Sequence, residues 1–317
     1  MSTPTETTST AATPVQQVTP ELRRWIIAQA EAGCLPEDVV KAMVASGWHE
    51  DVALDAMEQT LRGHLASLRE PVPGSSSVPE PQIEDGANVI VVDGHPVEVV
   101  MSLRLPRVVI FGHLLTDQEC EELKAQAAPR LARSETVDTA TGGSEVHAAR
   151  TSDGMFFERG ETPLIDRIER RIATLLNWPL DRGEGLQILR YRPGAQYKPH
   201  NDYFDPAQPG TPKIVERGGQ RVGTLVMYLN TPERGGATVF PDAGLEVAPV
   251  RGSAVFFSYD RPHAITKTLH GGAPVLAGEK WVATKWIHEK LYQLKQAELL
   301  QLSPKQLAQE RDSTIFS

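Results

Sequence analysis

Apolar residues recur every three or four positions in three short runs between residues 20 and 66, which predicts three helices. Pro36 followed by two acidic residues suits a helix start, and Gly47 suits a helix end. We expect a small helical bundle over 20–66. The runs are Leu22, Trp25, Ile26 and Ala30; Val39, Val40, Met43 and Val44; and Val52, Leu54, Ala56, Met57 and Leu61.

The segments that flank this bundle offer little to bury. Residues 1–19 are rich in Thr, Ser, Pro and Ala, so we expect them to be disordered. Residues 67–86 combine prolines with a Gly-Ser-Ser-Ser run, a composition typical of a linker. At the other end of the chain, residues 291–317 carry several leucines and a break near Pro304, which predicts a helical tail.

Between 87 and 290 the pattern changes to strands and two helices. A capping box at Thr116 and Glu119 predicts a helix that ends before Pro129, and Ile165–Leu176 forms a second amphipathic helix. Helices followed by runs of strands favour an α+β domain with a closed or double-layered β core. The predicted strands are Val89–Val92, Val97–Val100, Val108–Phe111, Leu186–Tyr191, Gly223–Leu229, Ala237–Phe240, Ala254–Ser258 and Trp281–His288.

Composition narrows the class of protein. The formal net charge of -9 argues against a sequence-independent nucleic-acid surface, which needs clustered Lys and Arg. The two cysteines, Cys34 and Cys120, lie in different predicted domains, so no disulfide framework is expected and a reducing compartment is the simpler interpretation. The N-terminal residues show no apolar signal-peptide core, and no run approaches the ~18 apolar residues of a membrane span. We therefore expect a cytoplasmic protein.

His200 and Asp202 are the first candidates for chemistry. Side chains two residues apart in a strand point to the same side, so this pair could hold one metal ion. Two imidazoles and one carboxylate form the facial triad of non-haem Fe(II) oxygenases, and either His263 or His270 could supply the second imidazole. By itself, the pair is more typical of a polar surface than of a metal site, and Lys280 could be an ordinary edge-strand lysine.

Several motifs in order carry a resemblance to a known family. Over Pro106–Ile287 the chain resembles the 2-oxoglutarate- and Fe(II)-dependent dioxygenases of the prolyl 4-hydroxylase type, which implies a double-stranded β-helix (jelly-roll) core. The motifs are Arg150-Thr151-Ser152, Glu184-Gly185-Leu186-Gln187, Tyr191 to Phe204 around the His-x-Asp pair, Gly235 to Pro241, His270 to Val275, Gly278 to Trp281 and Ala283 to Ile287.

The resemblance also assigns roles to single residues. His200 and Asp202 match the proximal metal ligands. His270 matches the distal ligand and is preferred to His263, because Lys280 follows it by ten residues rather than 17. Lys280 matches the residue that pairs with the distal carboxylate of 2-oxoglutarate.

Other matches concern the walls of the same site. Thr224 and Tyr191 match positions that can donate hydrogen bonds to that carboxylate, and Trp286 matches a residue that packs near the same pocket. Tyr197 and Arg221 are placed on the substrate side.

The chain departs from the family pattern at two positions. Ala237 stands where the family often has an acid, and Ala273 where it often has Cys. Neither belongs to the triad, so both bear on substrate selection or packing rather than on the reaction.

The implied reaction is hydroxylation of an unactivated C–H bond. It uses Fe(II) as a cofactor, consumes 2-oxoglutarate and O2, and releases succinate and CO2. A role for ascorbate is left open. The resemblance favours a prolyl residue in a peptide or protein, and the polar segments 134–149 and 203–220 could close over an extended chain. A free amino acid or another small molecule is an alternative, because fold and cofactor do not fix the substrate. A nucleobase demethylase is disfavoured by the acidic charge balance.

The N-terminal bundle resembles a ubiquitin-associated-type module through Met43 to Trp48, over fewer than 50 residues. This implies a protein partner for residues 20–66. The alternative is a helical appendage that packs on the main domain or on another subunit. A catalytically idle adaptor that acts through this module is a rival to the enzyme, although the intact metal motif counts against it.

Overall fold

The structure is a computed structural model that describes residues 16, 18–67, 76–83, 86–134, 136–137, 141, 144–145 and 150–293. Much of the predicted disordered segment 1–19, of the linker 67–86, of the segment 134–149 and of the tail 291–317 lies outside these residues. The chain divides into two compact units, Met1–Ser75 and Ser76–Ser317, which are described separately.

The first unit contains all three predicted helices: α1 (Pro20–Glu31), α2 (Pro36–Ala45) and α3 (Glu50–Ser67). Thr19 caps α1 by accepting a hydrogen bond from the backbone N–H of Leu22. One apolar cluster lies among the helices, and its fully buried members are Ile26, Val39, Val40, Met43, Ala53 and Ala56. The role of this unit as a separate module stays a prediction.

The second unit holds a predominantly β structure with helices α4 (Asp117–Ala127), α5 (Pro163–Leu175) and α6 (Thr211–Val215). The strands are β1 Val89–Val92, β2 His95–Leu103, β3 Arg107–Gly112, β4 Ala132–Arg133, β5 Thr136–Val137, β6 Ser144–Glu145, β7 Asp153–Phe157, β8 Leu186–Tyr191, β9 Tyr197–His200, β10 Arg221–Tyr228, β11 Arg234–Gly235, β12 Thr238–Phe240, β13 Leu245–Val247, β14 Ala254–Ser258, β15 His270–Gly272, β16 Val275–Ala277 and β17 Lys280–His288.

Two antiparallel sheets make up the core of this unit. The larger sheet has nine strands in the order β1-β2-β3-β14-β10-β17-β8-β7-β4, and the smaller has the order β13-β12-β15-β9. One apolar cluster joins the large sheet to α4 and α5, and a second contains residues of both sheets. Neighbouring residues of β3 point to opposite faces of the large sheet: Val109 belongs to the first cluster, with the helices, and Val108 to the second, between the sheets. The expected jelly-roll core is confirmed.

The helices cover the outer face of the large sheet. The predicted capping box at Thr116 and Glu119 is confirmed, with both reciprocal hydrogen bonds formed. Glu119 also accepts two hydrogen bonds from the Arg171 guanidinium of α5, at 2.7 and 2.9 Å. Burial opposes ionisation of Glu119, but hydrogen bonds from Arg171, the Thr116 backbone and Arg167, together with the Arg171 charge, outweigh it and lower its pKa to about 2. A buried carboxylate thus ties the start of α4 to α5.

Residues 76–83, predicted as part of the linker, belong to the second unit and pack on the rest of it. The Glu80 backbone N–H donates to the Leu176 carbonyl, and Arg107 donates to the Glu80 carboxylate at 3.0 Å. Pro79 lies against Gly223 of β10, where an added Cβ would come within 2.8 Å of the Pro79 ring. This stretch therefore lies against the strand that carries Thr224.

Segment 203–220, predicted to be a flexible loop, contains α6. The Gln220 side chain closes the segment by bonding both the backbone N–H and the carbonyl of Phe204. Among the residues that the structure covers, no helix is long and apolar enough to cross a membrane.

Candidate active site

Strand pairing places the two candidate imidazoles side by side. His200 ends β9 and His270 begins β15, and the two residues are direct partners in the antiparallel register. Their ring centroids are 4.4 Å apart. Asp202 follows β9 by two residues and turns its carboxylate toward both rings.

The three side chains converge at one point. The Nε2 atoms of His200 and His270 each lie 3.5 Å from an oxygen of the Asp202 carboxylate. One ligand atom from each residue falls within 4.8 Å of the others, and this is the one such His/Cys/Asp/Glu group found in the described part of the chain. The structure therefore brings together the predicted triad.

Hydrogen bonds on the far side of each ring fix the imidazoles. His200 Nδ1 lies 2.9 Å from the Lys198 carbonyl, and His270 Nδ1 lies 2.9 Å from the Thr268 carbonyl. A carbonyl only accepts, so each Nδ1 carries the proton and each Nε2 presents its lone pair to the shared point. This is the arrangement that orients metal-binding histidines.

His263 lies outside this group. Its Nδ1 accepts a hydrogen bond from the Ile265 backbone N–H at 3.1 Å, and it caps a short 3-10 turn. Of the two histidines left open by the His-x-Asp pattern, the structure places His270 at the triad.

Electrostatics keep the triad in the protonation states that a metal ion requires. Burial raises the pKa of Asp202, but the His270 and His200 imidazoles outweigh burial and hold that pKa well below its ordinary value. Burial lowers the pKa of His270 to about 4. The carboxylate is thus ionised and the His270 imidazole neutral at physiological pH.

The Thr224 side chain contacts the carboxylate of the triad. Its hydroxyl donates to Asp202 Oδ2 at 2.7 Å and lies 3.0 Å from the Tyr259 hydroxyl. A hydroxyl has one proton, and here the carboxylate accepts it. In this arrangement Thr224 has no proton left to donate to 2-oxoglutarate, the role that the resemblance implied.

Lys280 lies in the same pocket, on β17. It is 4% exposed, and its Nζ sits 5.6 Å from the Tyr191 ring centre and 5.5 Å from that of Tyr228. Burial lowers the pKa of Lys280 to about 8. No carboxylate of the described residues forms an ion pair with it. A buried ammonium with no anionic partner is a position for an anionic ligand.

Thr238 is a pocket residue that the sequence reasoning passed over. Its Oγ accepts a hydrogen bond from the buried Tyr228 hydroxyl at 2.7 Å, which leaves its own proton available. Thr238 lines the same pocket as Lys280 and Tyr191. It belongs to the quoted Gly235–Pro241 motif, so the motif and the β-strand alternation could have identified it.

β17 supplies one wall of the pocket through alternate residues. Lys280, Val282, Thr284 and Trp286 all line it, as a strand period of two requires. The Trp286 indole Nε1 is buried and has no hydrogen-bond partner within the described structure.

The two residues predicted on the substrate side differ in exposure to the pocket. Tyr197 lines it and stacks on His200, with ring centroids 3.7 Å apart. Arg221 is engaged elsewhere: its Nε donates to Glu184 at 2.7 Å, and its guanidinium lies over the Trp286 ring at 4.3 Å. Glu184 is also 2.8 Å from His288 Nε2. Arg221 is therefore held in a buried ion-pair network beside the pocket.

Comparison with known proteins relates this fold and site to a class of enzymes. The sequence profile of the 2OG-Fe(II) oxygenase superfamily matches residues 186–288, which span the triad and Lys280. This match indicates the class of 2-oxoglutarate- and Fe(II)-dependent dioxygenases.

Curated relatives define the family within that class. The chain is 40% identical to prolyl 4-hydroxylase 5 of Arabidopsis thaliana over 205 residues, which cover 58% of this chain and 68% of the relative. It is 42% identical to prolyl 4-hydroxylase 1 of the same organism, over 58% of this chain and 70% of the relative. The chain belongs to the prolyl 4-hydroxylase family.

A solved structure shares part of this similarity. The viral collagen prolyl hydroxylase of Paramecium Bursaria Chlorella virus-1, in its 2OG complex, is 30% identical with a TM-score of 0.44. The match covers 57% of this chain and 94% of the viral chain.

Proposed function

We propose that this chain hydroxylates a prolyl residue in a peptide or protein, with His200, Asp202 and His270 as the ligands of Fe(II). The named relatives are prolyl 4-hydroxylases, which supports a prolyl substrate. The arrangement of the triad supports the ligand assignment, because two Nε2 lone pairs and one carboxylate face a single point.

The donor set fits iron. Two neutral imidazoles and one carboxylate suit a divalent first-row metal and leave positions for further ligands. Backbone carbonyls hold both rings from behind, so the residues are oriented before a metal ion arrives.

The co-substrate assignment rests on the buried ammonium of Lys280, which has no ion-pair partner among the described residues. A diacid that chelates the metal at one end needs a cation at its other end, and a buried carboxylate needs hydrogen bonds as well. Thr238, with a free hydroxyl proton, and Tyr191 lie beside Lys280 and can supply them. Trp286 lines the same pocket, and its indole N–H has no hydrogen-bond partner among the described residues.

When bound, Fe(II) would let O2 oxidise 2-oxoglutarate to succinate and CO2, with one oxygen atom going to succinate and the other converting a C–H bond to C–OH. The residues of the chain orient these groups and exclude water from them. Asp202 and the histidines fix the position of the metal, and Lys280 fixes the far end of the co-substrate. Tyr197, stacked on His200, lies where an incoming peptide would approach.

Further elements of the proposal rest on sequence. Residues 20–66 would bind a protein partner through a ubiquitin-associated-like module. Cytoplasmic localisation and the use of ascorbate as a reductant belong to the same proposal. Arg221 would act on the substrate side indirectly, by holding the Trp286 ring and by contacting the Asp202 carbonyl.

The function is tested by succinate formation from 2-oxoglutarate in metal-replete protein with a panel of proline-containing peptides. We expect turnover that depends on the peptide and is lost in the same peptides with proline replaced by alanine. Asp202→Ala should abolish it. If free proline or another amino acid stimulated turnover and no peptide did, the small-molecule alternative would replace the proposal.

The co-substrate site has its own test. Lys280→Glu places a second negative charge against the co-substrate carboxylate, so 2-oxoglutarate should no longer bind, while a divalent metal still does. An unchanged dependence of turnover on 2-oxoglutarate in this variant would show that Lys280 is not the anchor.

A further inference from the structure

Two buried hydroxyl groups connect the triad carboxylate to the interior of the jelly roll. Thr224 Oγ lies 2.7 Å from Asp202 Oδ2, and the Tyr259 hydroxyl lies 3.0 Å from Thr224 Oγ. Thr224 is fully buried and Tyr259 is 1% exposed, so water does not compete for either contact.

The direction of these bonds follows from proton counting. An ionised carboxylate only accepts, so Thr224 must donate its single proton to Asp202. Thr224 can then offer only a lone pair to its other neighbour, so the Tyr259 hydroxyl must donate to Thr224. The chain of donation therefore runs one way, from Tyr259 through Thr224 to Asp202.

We propose that Tyr259 is a positioning residue for the metal-binding carboxylate. By donating to Thr224, it fixes the Thr224 proton on Asp202 Oδ2. This engages Oδ2 in a hydrogen bond, so a metal ion at the triad would be held chiefly by Oδ1. The inference rests on the triad of the proposed function and adds a residue that touches neither metal nor substrate.

The Tyr259 ring is itself well anchored. Its backbone N–H donates to the Val222 carbonyl at 3.1 Å, one residue beyond the β10–β14 pairing. The Tyr203 ring packs edge-on against it at 6.0 Å, and Phe257 lies 6.2 Å away. The hydroxyl thus stays at Thr224 without help from a ligand.

The chain offers a matched control in Tyr228. This tyrosine is equally buried, and its hydroxyl also donates to a threonine, but to Thr238 at the Lys280 end of the pocket. Tyr228→Phe and Tyr259→Phe each remove one buried hydroxyl from the same core cluster. Only the second removal reaches the triad.

The test measures Mn(II) affinity and the Co(II) absorption spectrum of the full-length protein without 2-oxoglutarate. We expect Thr224→Val to weaken Mn(II) binding about 10- to 100-fold, the usual effect of losing a partner of a metal ligand. Tyr259→Phe should weaken it roughly 2- to 10-fold, the range for one net hydrogen bond. Thr224→Ser, which keeps the hydroxyl, should restore affinity.

Two further readouts separate positioning from general loss of stability. In a Thr224→Val background, Tyr259→Phe should have no added effect on Mn(II) affinity, because the connection is already broken. The Co(II) spectra of Tyr259→Phe and Thr224→Val should change in the same direction as Oδ2 becomes free to bind, while Tyr228→Phe leaves the spectrum unchanged.

The outcomes distinguish this inference from the proposed function. If Asp202→Ala left metal binding intact, the triad itself would be wrong. If Asp202→Ala abolished binding while Tyr259→Phe matched Tyr228→Phe in affinity and spectrum, the triad would stand and the role of Tyr259 would be refuted. Additive effects of Tyr259→Phe and Thr224→Val would also refute it.

Discussion

At the scale of single residues, burial of Lys280 lowers the stability of the ligand-free protein but provides a cation for 2-oxoglutarate. The protein buries its ammonium near the rings of Tyr191 and Tyr228, without an ion-pair partner among the described residues, and burial lowers its pKa from 10.5 to about 8. Lys280→Met should therefore stabilise the ligand-free protein at neutral pH by up to about 3 kcal/mol, the free energy of that shift. The same change should abolish 2-oxoglutarate binding.

Urea unfolding and 2-oxoglutarate titration of the parent protein and of Lys280→Met check this prediction. The control is Lys198→Met, which removes an exposed ammonium from β9 and should leave stability within about 0.5 kcal/mol. A ligand-free Lys280→Met protein that was less stable than the parent would mean that Lys280 has a favourable partner, contrary to the structure.

The lowered pKa of Lys280 also predicts a pH dependence of co-substrate binding. Below about pH 8 the ammonium is charged and affinity for 2-oxoglutarate should be constant. Above that pH the ligand-free protein must take up a proton in order to bind, so affinity should fall toward tenfold per pH unit.

Calorimetry in buffers of different ionisation enthalpy checks the pH prediction. Proton uptake on binding should approach one at pH 9 and zero at pH 7, with Mn(II) in place of iron. Affinity that stayed flat from pH 7 to 9.5 would show that Lys280 is not neutralised in this range.

Residue types alone indicated part of the site. Motif order and spacing select His270 rather than His263, and the structure places His270 beside His200 and Asp202. The roles of these residues and of Lys280 stay predictions. The partner of each hydroxyl was not predictable. Thr224 and Thr238 are both strand threonines facing the same pocket, and only their neighbours, Tyr259 and Tyr228, show which one still has a free proton.

At the scale of elements, the close approach of β9 to β15 holds the two histidines together. A Cβ on Gly271 would lie 2.9 Å from the Tyr197 carbonyl oxygen and 3.1 Å from the Pro199 nitrogen, both backbone atoms. Gly271→Ala should push the strands apart, separate His200 from His270 and weaken Mn(II) binding roughly tenfold or more.

The neighbouring glycine is the control for this prediction. A Cβ on Gly272 would meet Tyr197 only at 3.7 Å, an ordinary contact. Gly272→Ala should therefore retain Mn(II) affinity in titrations without 2-oxoglutarate. Equal affinity of the two alanine variants would contradict the view that strand separation sets the triad geometry.

Long apolar elements were predictable and short polar ones were not. The strands Leu186–Tyr191 and Ala254–Ser258 have the predicted bounds, because most of their side chains are apolar and nearly all are buried. The strands β9 and β15, which carry His200 and His270, are four and three residues long and contain Pro, Gly and His. Their strand structure comes from pairing with each other, which no local pattern encodes.

At the scale of the whole molecule, the two units have separate cores. The buried cluster of the first unit and the two clusters of the second share no residue. A chain that begins at Ser76 should therefore fold, bind Mn(II) and 2-oxoglutarate as the full chain does, and retain its turnover with a short peptide.

Circular dichroism and ligand titration of two truncated chains check this boundary. A chain that begins at Ala87 loses Pro79 and the Glu80–Arg107 ion pair, so it should be less stable by about 1–3 kcal/mol. Loss of folding in the chain from Ser76 would show that the first unit is required. Equal stability of both chains would show that residues 76–83 are dispensable.

The central claim is that the triad directs oxygen onto a prolyl residue. Mass spectrometry of a proline-containing peptide after reaction under isotopically labelled O2 tests it most directly. We predict one labelled oxygen on a prolyl residue for each succinate formed, and none with Asp202→Ala or His270→Ala, while His263→Ala remains active. Metal-replete protein that formed succinate but left every proline unlabelled across a broad peptide panel would contradict the claim.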